Sequence, residues 1–254
     1  MIISNKKYQR GDVLDSIFEY DRPFVTTDAV VFTVSTQEPD SYRKLPLTKL
    51  NLLLYQRNES PFPDKWCLPG GFLNIDEIPE DNIRRKLTDK TNVTQCYLEQ
   101  LYTFCDLGRD PRARVLSITY LGLMNESQAK QIGGGSEWFT IQLGGPSFTI
   151  GKSDRPLRET DFAFDHFLII NTALERLQAK ITYSDIIFHL LPKEFTLTGL
   201  QNVYEAINGR KELAANFRRK IIDLVEETEQ YTSEKGHRPA KIYVQKSNKR
   251  GNQL

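Results

Sequence analysis

Cysteine is scarce in this 254-residue chain, which contains only Cys67, Cys96 and Cys105. Their number is odd, and no two of them stand in a Cys-x-x-Cys spacing. This argues against a disulfide framework and against a cysteine-based zinc site. Because unpaired cysteine is usually buried, we expect all three to be small core residues.

Long apolar runs are also absent. No stretch approaches the roughly 18–20 residues of a membrane-spanning helix. The first residues, MIISNKKYQRGD, lack the apolar segment and small-residue cleavage site of a signal peptide. A hydrophobic content of 39% and a charged content of 26% are ordinary for a globular protein. We therefore expect a cytoplasmic protein with no membrane partner.

Net charge is close to zero, at +1, so a uniformly basic polyanion-binding protein is excluded. The charges are nevertheless unevenly distributed. Residues 208–254 carry 11 Lys+Arg against 6 Asp+Glu, whereas residues 1–207 carry 23 against 27. The basic end could bind a polyanion on its own, although a solvated basic surface would have the same composition.

The first half of the chain mixes strand and helix patterns. Segments rich in Val, Phe, Thr and Leu predict strands at 24–36, 50–57, 96–105, 114–124 and 138–143. Residues 58–74 are rich in Pro, Gly, Asn and Asp, which predicts a loop. Residues 79–90 predict a helix, because Pro79 suits a first turn and the acids after it suit the positive end of the helix dipole.

After about residue 160 the pattern becomes mostly helical. Apolar residues at spacings of three and four predict an amphipathic helix over 165–181. Three further helical segments follow within 184–224, and two strand-like runs around Gly236 predict a hairpin. We therefore predict an α/β domain over 1–160, a connector helix over 161–183 and a second, mostly helical domain over 184–254.

One stretch carries the spacing of a catalytic signature. Gly71, Glu77 and Arg85 fit the pattern G-x5-E-x7-R, and WCLPGGF leads into it. The stretch resembles the Nudix signature, G-x5-E-x7-R-E-U-x-E-E-x-G-U, where U is a bulky aliphatic residue. The resemblance implies that residues from about 20 to 155 form a Nudix α/β/α sandwich. In that family the fold serves enzymes that cleave a diphosphate linked to another moiety, using divalent cations.

The metal-binding positions of the signature hold other residues. Lys86 stands in the first glutamate position, and Asp89 and Lys90 stand for the glutamate pair. On a helix these three share one face. Two ammonium groups repel Mg²⁺ by on the order of a kcal/mol or more per charge at about 4–6 Å. We expect Asp89 to form an ion pair with a lysine. We expect no catalytic residues, no metal site and no required cofactor, so that Mg²⁺ would matter only for residual hydrolysis.

A pocket without metals can still bind phosphate. The RDPRARV segment places Arg109, Arg112 and Arg114 next to a predicted strand, and guanidinium forks suit phosphate. We expect these arginines to contact phosphate, with Arg57 and Trp66 near the rest of the ligand. RDPR-x-RV beside a Nudix box resembles the ADP-ribose branch of the family, especially the Nudix-related transcriptional regulators of NrtR type. A solvated arginine-rich turn is the alternative.

The C-terminal segment predicts a helix, a turn at Gly209, a basic helix and a hairpin, which is the order of a winged helix-turn-helix domain. FTLTxLQxVYEAIxG followed by NFRRKI and RPAKIY resembles the DNA-binding domain of the same regulators. A helical cap or dimerisation domain with a charged surface, or a winged helix used for protein contact, is the alternative. The buried stripe is predicted at Phe217, Ile221 and Leu224. The candidate DNA-binding residues are Asn216, Arg218, Arg219, Lys220, Arg238 and Lys241.

These observations favour a ligand-responsive transcriptional repressor that acts as a homodimer on double-stranded operator DNA. The resemblance implies ADP-ribose or a related NAD metabolite as the effector. A sugar such as arabinose is an alternative effector, because related Nudix-type regulators respond to sugars. Two other classes stay open: an active ADP-ribose pyrophosphatase with a C-terminal accessory domain, and a protein-interaction scaffold without catalysis.

Overall fold

The computed structural model describes residues 21–37, 46–144, 147–152, 155–232 and 239–246. Within these residues, nine strands form one sheet in the order β5-β6-β1-β2-β7-β8-β9, with β3 paired to β2 and β4 paired to β1. The strands are β1 Phe24–Gln37, β2 Leu47–Gln56, β3 Trp66–Cys67, β4 Gly70–Phe72, β5 Tyr97–Phe104, β6 Val115–Leu123, β7 Ser136–Gly144, β8 Ser147–Lys152 and β9 Arg155–Leu157.

Strand β1 is the centre of this sheet. It runs parallel to β6 and antiparallel to β2, and residues 26–34 are buried throughout. Alternate side chains point to opposite faces of a strand. Val30 and Phe32 therefore belong to one apolar cluster, and Ala29 and Val31 to another on the opposite face. A sheet covered on both faces gives the α/β/α layers that the sequence predicts.

Helix α1, Pro79–Thr91, covers the face of Ala29 and Val31. Its buried residues Ile83 and Leu87 lie four apart and so share one side of the helix. The helix ends at Asn92, which has a left-handed backbone (φ 58°) and donates its N–H to the carbonyl of Thr88. Asparagine is the usual substitute for glycine at such a cap, which explains its presence at the second glycine position of the signature.

Helix α3, His166–Lys180, covers the other face of the sheet. The four-residue helix α2, Glu126–Ala129, lies between α1 and α3 in the chain. The predicted amphipathic helix over 165–181 is therefore confirmed. Its buried side chains, among them Ile170, Leu174 and Leu177, belong to the cluster that contains Val30 and Phe32. None of the helices in the described segments is long and apolar enough to cross a membrane.

The C-terminal part contains α4, Leu197–Asn208, α5, Ala214–Ile221, and a three-stranded sheet with one strand before α4 and two after α5. Its strands are β10 Glu194–Thr196, β11 Val225–Tyr231 and β12 Lys241–Gln245, in the order β10-β12-β11. Thr196 caps α4 by accepting from the N–H of Gly199, and the helix ends at Gly209 in a left-handed conformation. The two-helix order and the hairpin agree with the prediction.

One apolar core runs through both parts of the chain. The cluster that includes Phe32 and Leu174 also contains Ile207, Phe217 and Tyr243. Strand β2 and helix α4 pack directly against each other, and Gln178 Nε2 donates to the carbonyl oxygen of Ile207 at 2.9 Å. The sheet of the first part and the helices of the second therefore share buried surface.

Several sequence predictions differ from the structure. The predicted loop at 58–74 contains β3 and β4, which are too short to show an alternating pattern. The first of the three helical segments predicted within 184–224 is a 3-10 turn at Ile186–Leu190, and the basic helix extends from Ala214 to Ile221 and not to residue 224. Strands β8 to β10 were not predicted. Cys67 is buried, but Cys96 is half-buried and Cys105 is exposed at the end of β5.

The contact between Gly209 and Leu143 generates a stability prediction. Gly209 has φ 69°, and a Cβ there would lie 2.6 Å from Leu143 Cβ on β7. Gly209→Ala should therefore combine a left-handed strain of about 1–2 kcal/mol with a clash. The free energy of unfolding, measured by urea denaturation, should fall by more than that strain.

Two other glycines provide matched controls. Gly135 has φ 76° with nothing near its Cβ position, so Gly135→Ala measures strain without a clash. Gly108 has open space around its Cβ position, and its alanine variant should be close to neutral. Equal losses for Gly209→Ala and Gly135→Ala would show that the contact with Leu143 relaxes freely.

Candidate functional site

A cavity of about 370 Å³ opens where β4, α1 and the start of α3 meet. This size is typical of small-molecule sites. Its cationic lining residues are Arg57, Lys86, Lys90, Arg109 and Arg112, and its carboxylates are Asp28, Glu59 and Asp110. Tyr55, Phe72, Phe164 and His166 supply rings. The excess of cations makes the cavity suited to an anionic ligand.

Lysines from α1 form one wall. Lys90 Nζ donates to the hydroxyl of Tyr55 at 2.7 Å and lies 4.5 Å from the centroid of that ring. Burial lowers the pKa of the Lys90 ammonium. Lys86 lies over Gly71, where an added Cβ would be 2.9 Å from Lys86 Cε. The cavity wall that holds carboxylates in Nudix enzymes here presents two amines.

The remaining acids of the signature are engaged elsewhere. Glu77 accepts from both Arg85 Nε and Nη2 and from the backbone N–H of Asn74. The Arg85 guanidinium, followed by the backbone N–H of Asn74 and the side-chain amide of Asn82, lowers the pKa of Glu77 to about 2. Asp89 pairs with Arg85, at 3.7 Å, because the two lie one helical turn apart. The expectation that Asp89 pairs with a lysine was therefore wrong.

Within the residues that the structure describes, no three His, Cys, Asp or Glu side chains converge on a possible metal site. Glu77 and Asp89 both turn toward Arg85, and neither lines the cavity. The acids of the signature therefore supply no multi-carboxylate Mg²⁺ centre to this cavity.

Asp28 and His166 lie deep in the cavity, and sequence analysis missed both. Ser117 Oγ donates to Asp28 Oδ2 at 2.5 Å, and burial raises the pKa of Asp28 to about 6. His166 Nδ1 accepts from the backbone N–H of Leu68 at 3.0 Å, so the neutral ring carries its proton on Nε2. That Nε2 lies 3.9 Å from Asp28 Oδ1. Burial, reinforced by the charge of Arg109, lowers the pKa of His166 to about 3.

The arginine-rich loop divides into three roles. Arg109 is buried and donates to both carboxylate oxygens of Asp165, at 2.9 and 2.8 Å. Arg112 donates to both oxygens of Asp110, at 3.0 and 2.7 Å, and lines the cavity. Arg114 does not line the cavity; it donates to the carbonyl oxygens of Cys105 and Asp106. The structure thus brings two of the three predicted arginines to the site.

Of the other two predicted ligand residues, only Arg57 reaches the cavity. Its Nε donates to the carbonyl oxygen of Pro61, and its guanidinium lies 5.1 Å from the Phe164 centroid. Trp66 instead packs edge-on against Phe139, at 4.6 Å between centroids. Trp66 lies on β3, where it pairs with Gln56 of β2, and it lines a different cavity together with Phe139.

Helix α5 presents the basic residues of the C-terminal part. Arg218, Arg219 and Lys220 are exposed, while Phe217 and Ile221 face the core as predicted; Leu224 is only partly buried, beyond the end of the helix. The half-buried side chain of Asn216 accepts from Arg219 Nη2.

Two of the predicted DNA-binding lysines make ion pairs. Lys220 pairs with Glu212 at 3.0 Å, and Lys241 pairs with Glu227 at 2.8 Å. Arg238 lies outside the described residues. Arg218, by contrast, makes no ion pair within the described part of the chain, although its charge is near enough to Glu227 to help the hydrogen bond from Lys241 lower the pKa of that carboxyl.

Comparisons with known proteins cover both parts of the chain. A Nudix domain model matches residues 44–157, and a model described as the NrtR DNA-binding winged helix domain matches residues 187–244. The ADPR responsive transcriptional repressor NtrR of Acinetobacter baylyi is 33% identical over 246 residues, which span 93% of this chain and 85% of that protein. The chain belongs to the NrtR family.

Two crystal structures agree with this assignment. The NrtR of Shewanella oneidensis complexed with a 27mer DNA superposes with a TM-score of 0.65 and 33% identity, covering 87% of this chain and 93% of that one. A MutT/Nudix family protein from Enterococcus faecalis superposes with a TM-score of 0.75 and 26% identity, covering 95% of each chain. The Nudix fold followed by a winged helix domain, as the sequence predicts, is therefore confirmed.

Of the cavity residues that sequence analysis missed, Asp28 alone carried a signal, and a weak one. Asp28 is a lone acid in the strand VTTDAVVF, and a charge inside an apolar strand is a candidate functional group. No such signal marks His166, Phe72 or Phe164, because these residues reach the cavity only through the packing of α3 and β4.

The raised pKa of Asp28 generates a pH-dependence prediction. The folded state holds a proton on this carboxyl up to about pH 6, whereas the unfolded chain releases it near 3.8. The contribution of Asp28 to stability is thus present below pH 4 and lost as the pH rises through 6. Asp28→Asn cannot ionise, so its stability relative to the native protein should improve by about 2–3 kcal/mol from pH 4 to 7.5.

Urea denaturation at the two pH values measures this difference. Asp76→Asn, at an exposed position, is the matched control and should change far less. A difference between Asp28→Asn and the native protein that is the same at both pH values would show that Asp28 ionises in its ordinary range.

Proposed function

We propose that this chain is a transcriptional repressor whose Nudix cavity binds ADP-ribose or a related NAD metabolite and whose winged helix binds operator DNA. One observation carries the proposal: Lys86 and Lys90 occupy the metal-binding face of a Nudix cavity that stands in the same chain as a winged helix. The lysines favour binding a diphosphate over cleaving it, and the winged helix gives the chain a means of binding DNA.

Electrostatics supports the ligand class. A diphosphate needs positive charge beside it, which Mg²⁺ supplies in Nudix enzymes. Here Lys86, Lys90, Arg57 and Arg112 line the cavity. At about 4 Å, each unit charge attracts a phosphate charge by roughly 1–4 kcal/mol, depending on how much water remains. The relative from Acinetobacter baylyi is named as ADPR responsive, which supports ADP-ribose as the first ligand to test.

The winged helix supports the proposed binding of operator DNA. Helix α5 follows α4 after a turn at Gly209, and its exposed side carries Arg218 and Arg219. Such a helix can meet base edges in the major groove, and neighbouring basic residues can meet phosphates. The relative named as a repressor and the Shewanella oneidensis NrtR bound to DNA support binding to duplex DNA and repression.

A homodimer in the cytoplasm completes the proposal. Winged helix proteins that bind as dimers place two recognition helices on successive major-groove faces, so the operator would be an imperfect palindrome. The working division of the chain remains 1–160 for the sensor, 161–183 for the connector and 184–254 for DNA binding. No cofactor is required in this scheme, and Mg²⁺ would matter only if weak hydrolysis survives.

DNA binding should depend on the exposed arginines of α5. Arg218→Ala and Arg219→Ala should each lower affinity about tenfold, because each removes a contact with a phosphate or a base edge. The duplex would first be selected by the native protein from a random-sequence library, and affinities would then be measured by fluorescence anisotropy at several salt concentrations.

Lys130→Ala removes one exposed positive charge from the Nudix part and serves as the control. It should leave affinity nearly unchanged, whereas affinity of the native protein should fall steeply with salt because counterions are released. Selection that yields no preferred sequence, with equal affinities for all variants, would refute the assignment of α5 as the recognition helix.

Metal-dependent turnover should be absent or very slow. Native protein with ADP-ribose and Mg²⁺ or Mn²⁺ should hydrolyse the ligand well below about 1 s⁻¹, a rate at the lower end for enzymes. The double variant Lys86→Glu, Lys90→Glu should bind Mn²⁺ more tightly in calorimetry, because carboxylates replace ammonium groups.

The double variant Lys86→Gln, Lys90→Gln is the matched control, since it removes the same charges without adding ligands. It should gain much less affinity for Mn²⁺. Turnover by native protein at rates typical of enzymes would instead establish the hydrolase alternative.

A further inference from the structure

Helix α4 carries a carboxylate on its buried side. Glu205 is 8% exposed, in a helix whose other buried residues are Leu200, Val203, Tyr204 and Ile207. A charge removed from water is costly unless hydrogen bonds and opposite charges replace the lost hydration. The presence of a carboxylate at this position therefore depends on its hydrogen-bond partners.

Three donors surround the Glu205 carboxylate. Its Oε1 accepts from Gln201 Nε2 at 2.8 Å and from the backbone N–H of Glu212 at 3.0 Å, and its Oε2 accepts from Lys211 Nζ at 2.7 Å. Burial alone would raise the pKa of Glu205, but these three donors outweigh it and hold the pKa below its ordinary value. The Lys211 side chain is 85% exposed, so water screens its charge and the contacts with Gln201 and Glu212 constrain the carboxylate most.

Both backbone polar groups of Glu212 are held by side chains of α4. Its N–H donates to Glu205, and its carbonyl oxygen accepts from Gln201 Nε2 at 2.8 Å. Glu212 lies two residues before Ala214, the first residue of α5, so this double contact fixes the backbone just in front of the proposed recognition helix. Side chains of one helix thus determine where the next helix begins.

Helix α5 has no capping side chain of its own. Leu213 occupies the N-cap position, is 73% exposed, and cannot accept from the first backbone N–H groups as Ser, Thr or Asp would. The helix has eight residues, of which only Phe217 and Ile221 are buried. Glu212 also reaches its last turn, because Glu212 Oε1 accepts from Lys220 Nζ at 3.0 Å. The fixed backbone of Glu212 therefore supplies a constraint that this short helix does not provide for itself.

We infer that Glu205 is a positioning residue for DNA recognition, which holds the turn before α5 so that the exposed arginines of that helix meet base edges. This rests on the proposed function and adds to it a buried residue that acts through Glu212. Contacts with base edges are short and directional, and such a site must be held to within about 0.5 Å. Attraction to phosphates falls more slowly with distance and is the same for every sequence. Loss of the Glu205 contact should therefore lower affinity for the preferred sequence and spare affinity for other sequences.

The test compares two duplexes of equal length by fluorescence anisotropy. One is the duplex that native protein selects from a random-sequence library, and the other has the same base composition in scrambled order. Glu205→Gln keeps the shape of the side chain but replaces a charged acceptor oxygen by an amide donor. It should lower affinity for the selected duplex about tenfold, as expected for the loss of one base contact. Affinity for the scrambled duplex should stay close to that of native protein.

Two further variants separate position from charge. Glu194→Gln makes the same change of charge at an exposed position on β10, and it should leave the ratio of the two affinities as in native protein. Gln201→Met removes the donor to the Glu212 carbonyl without any change of charge, and it should lower the ratio as Glu205→Gln does. Thermal melts followed by circular dichroism establish which variants are folded. If Glu205→Gln is unfolded at the assay temperature, Gln201→Met decides the question alone.

A role in stability alone predicts a different result, because partial unfolding lowers affinity for both duplexes equally and leaves their ratio unchanged. An unchanged ratio in either folded variant, or an equal fall of the ratio in Glu194→Gln, would overturn the inference and leave DNA binding by the winged helix in place. Failure of native protein to prefer any duplex would instead overturn the proposed function, and the inference with it.

Discussion

The buried ion pair between Arg109 and Asp165 connects the cavity lining to the start of helix α3, whose buried side chains belong to the larger apolar cluster. The Arg109 side chain is 4% exposed and the Asp165 side chain 15%, so removing either partner would leave a buried charge, which costs several kcal/mol. The next residue, His166, accepts from the N–H of Leu68 in the segment before β4. The start of α3 is therefore tied to two different walls of the cavity.

The other end of α3 reaches the DNA-binding half. Gln178 donates to the carbonyl oxygen at the C-terminal end of α4, and Lys180 pairs with Glu99 on β5 at 2.5 Å. A helix packed along its length moves as a rigid element, since its core contacts do not deform continuously. Helix α3 therefore contacts both the cavity lining and the end of α4.

Much of the fold follows from sequence patterns, but the site follows from them only in part. The long strands, α1, α3 and the caps of α4 have strong periodic or capping signals, and these were found. Strands β3, β4, β9 and β10 have only two or three residues and therefore lack any period, which is why they were missed; the six-residue strand β8 was missed as well. The lysines of α1 reach the cavity because helical spacing fixes their side. Trp66, on the two-residue strand β3, and Arg114, just before β6, do not, because the direction of a side chain in such short or irregular segments depends on tertiary packing that no local pattern records.

The exchange of carboxylates for lysines on α1 also determines what the cavity responds to. A Nudix site that holds its ligand through Mg²⁺ has an occupancy that varies with two concentrations, those of the ligand and of the free metal. Lys86 and Lys90 are attached to the chain, so their charge is present at constant stoichiometry. In the function proposed above, a sensor of this kind would report one variable instead of two, and its signal would not drift when the supply of divalent cations in the cell changes.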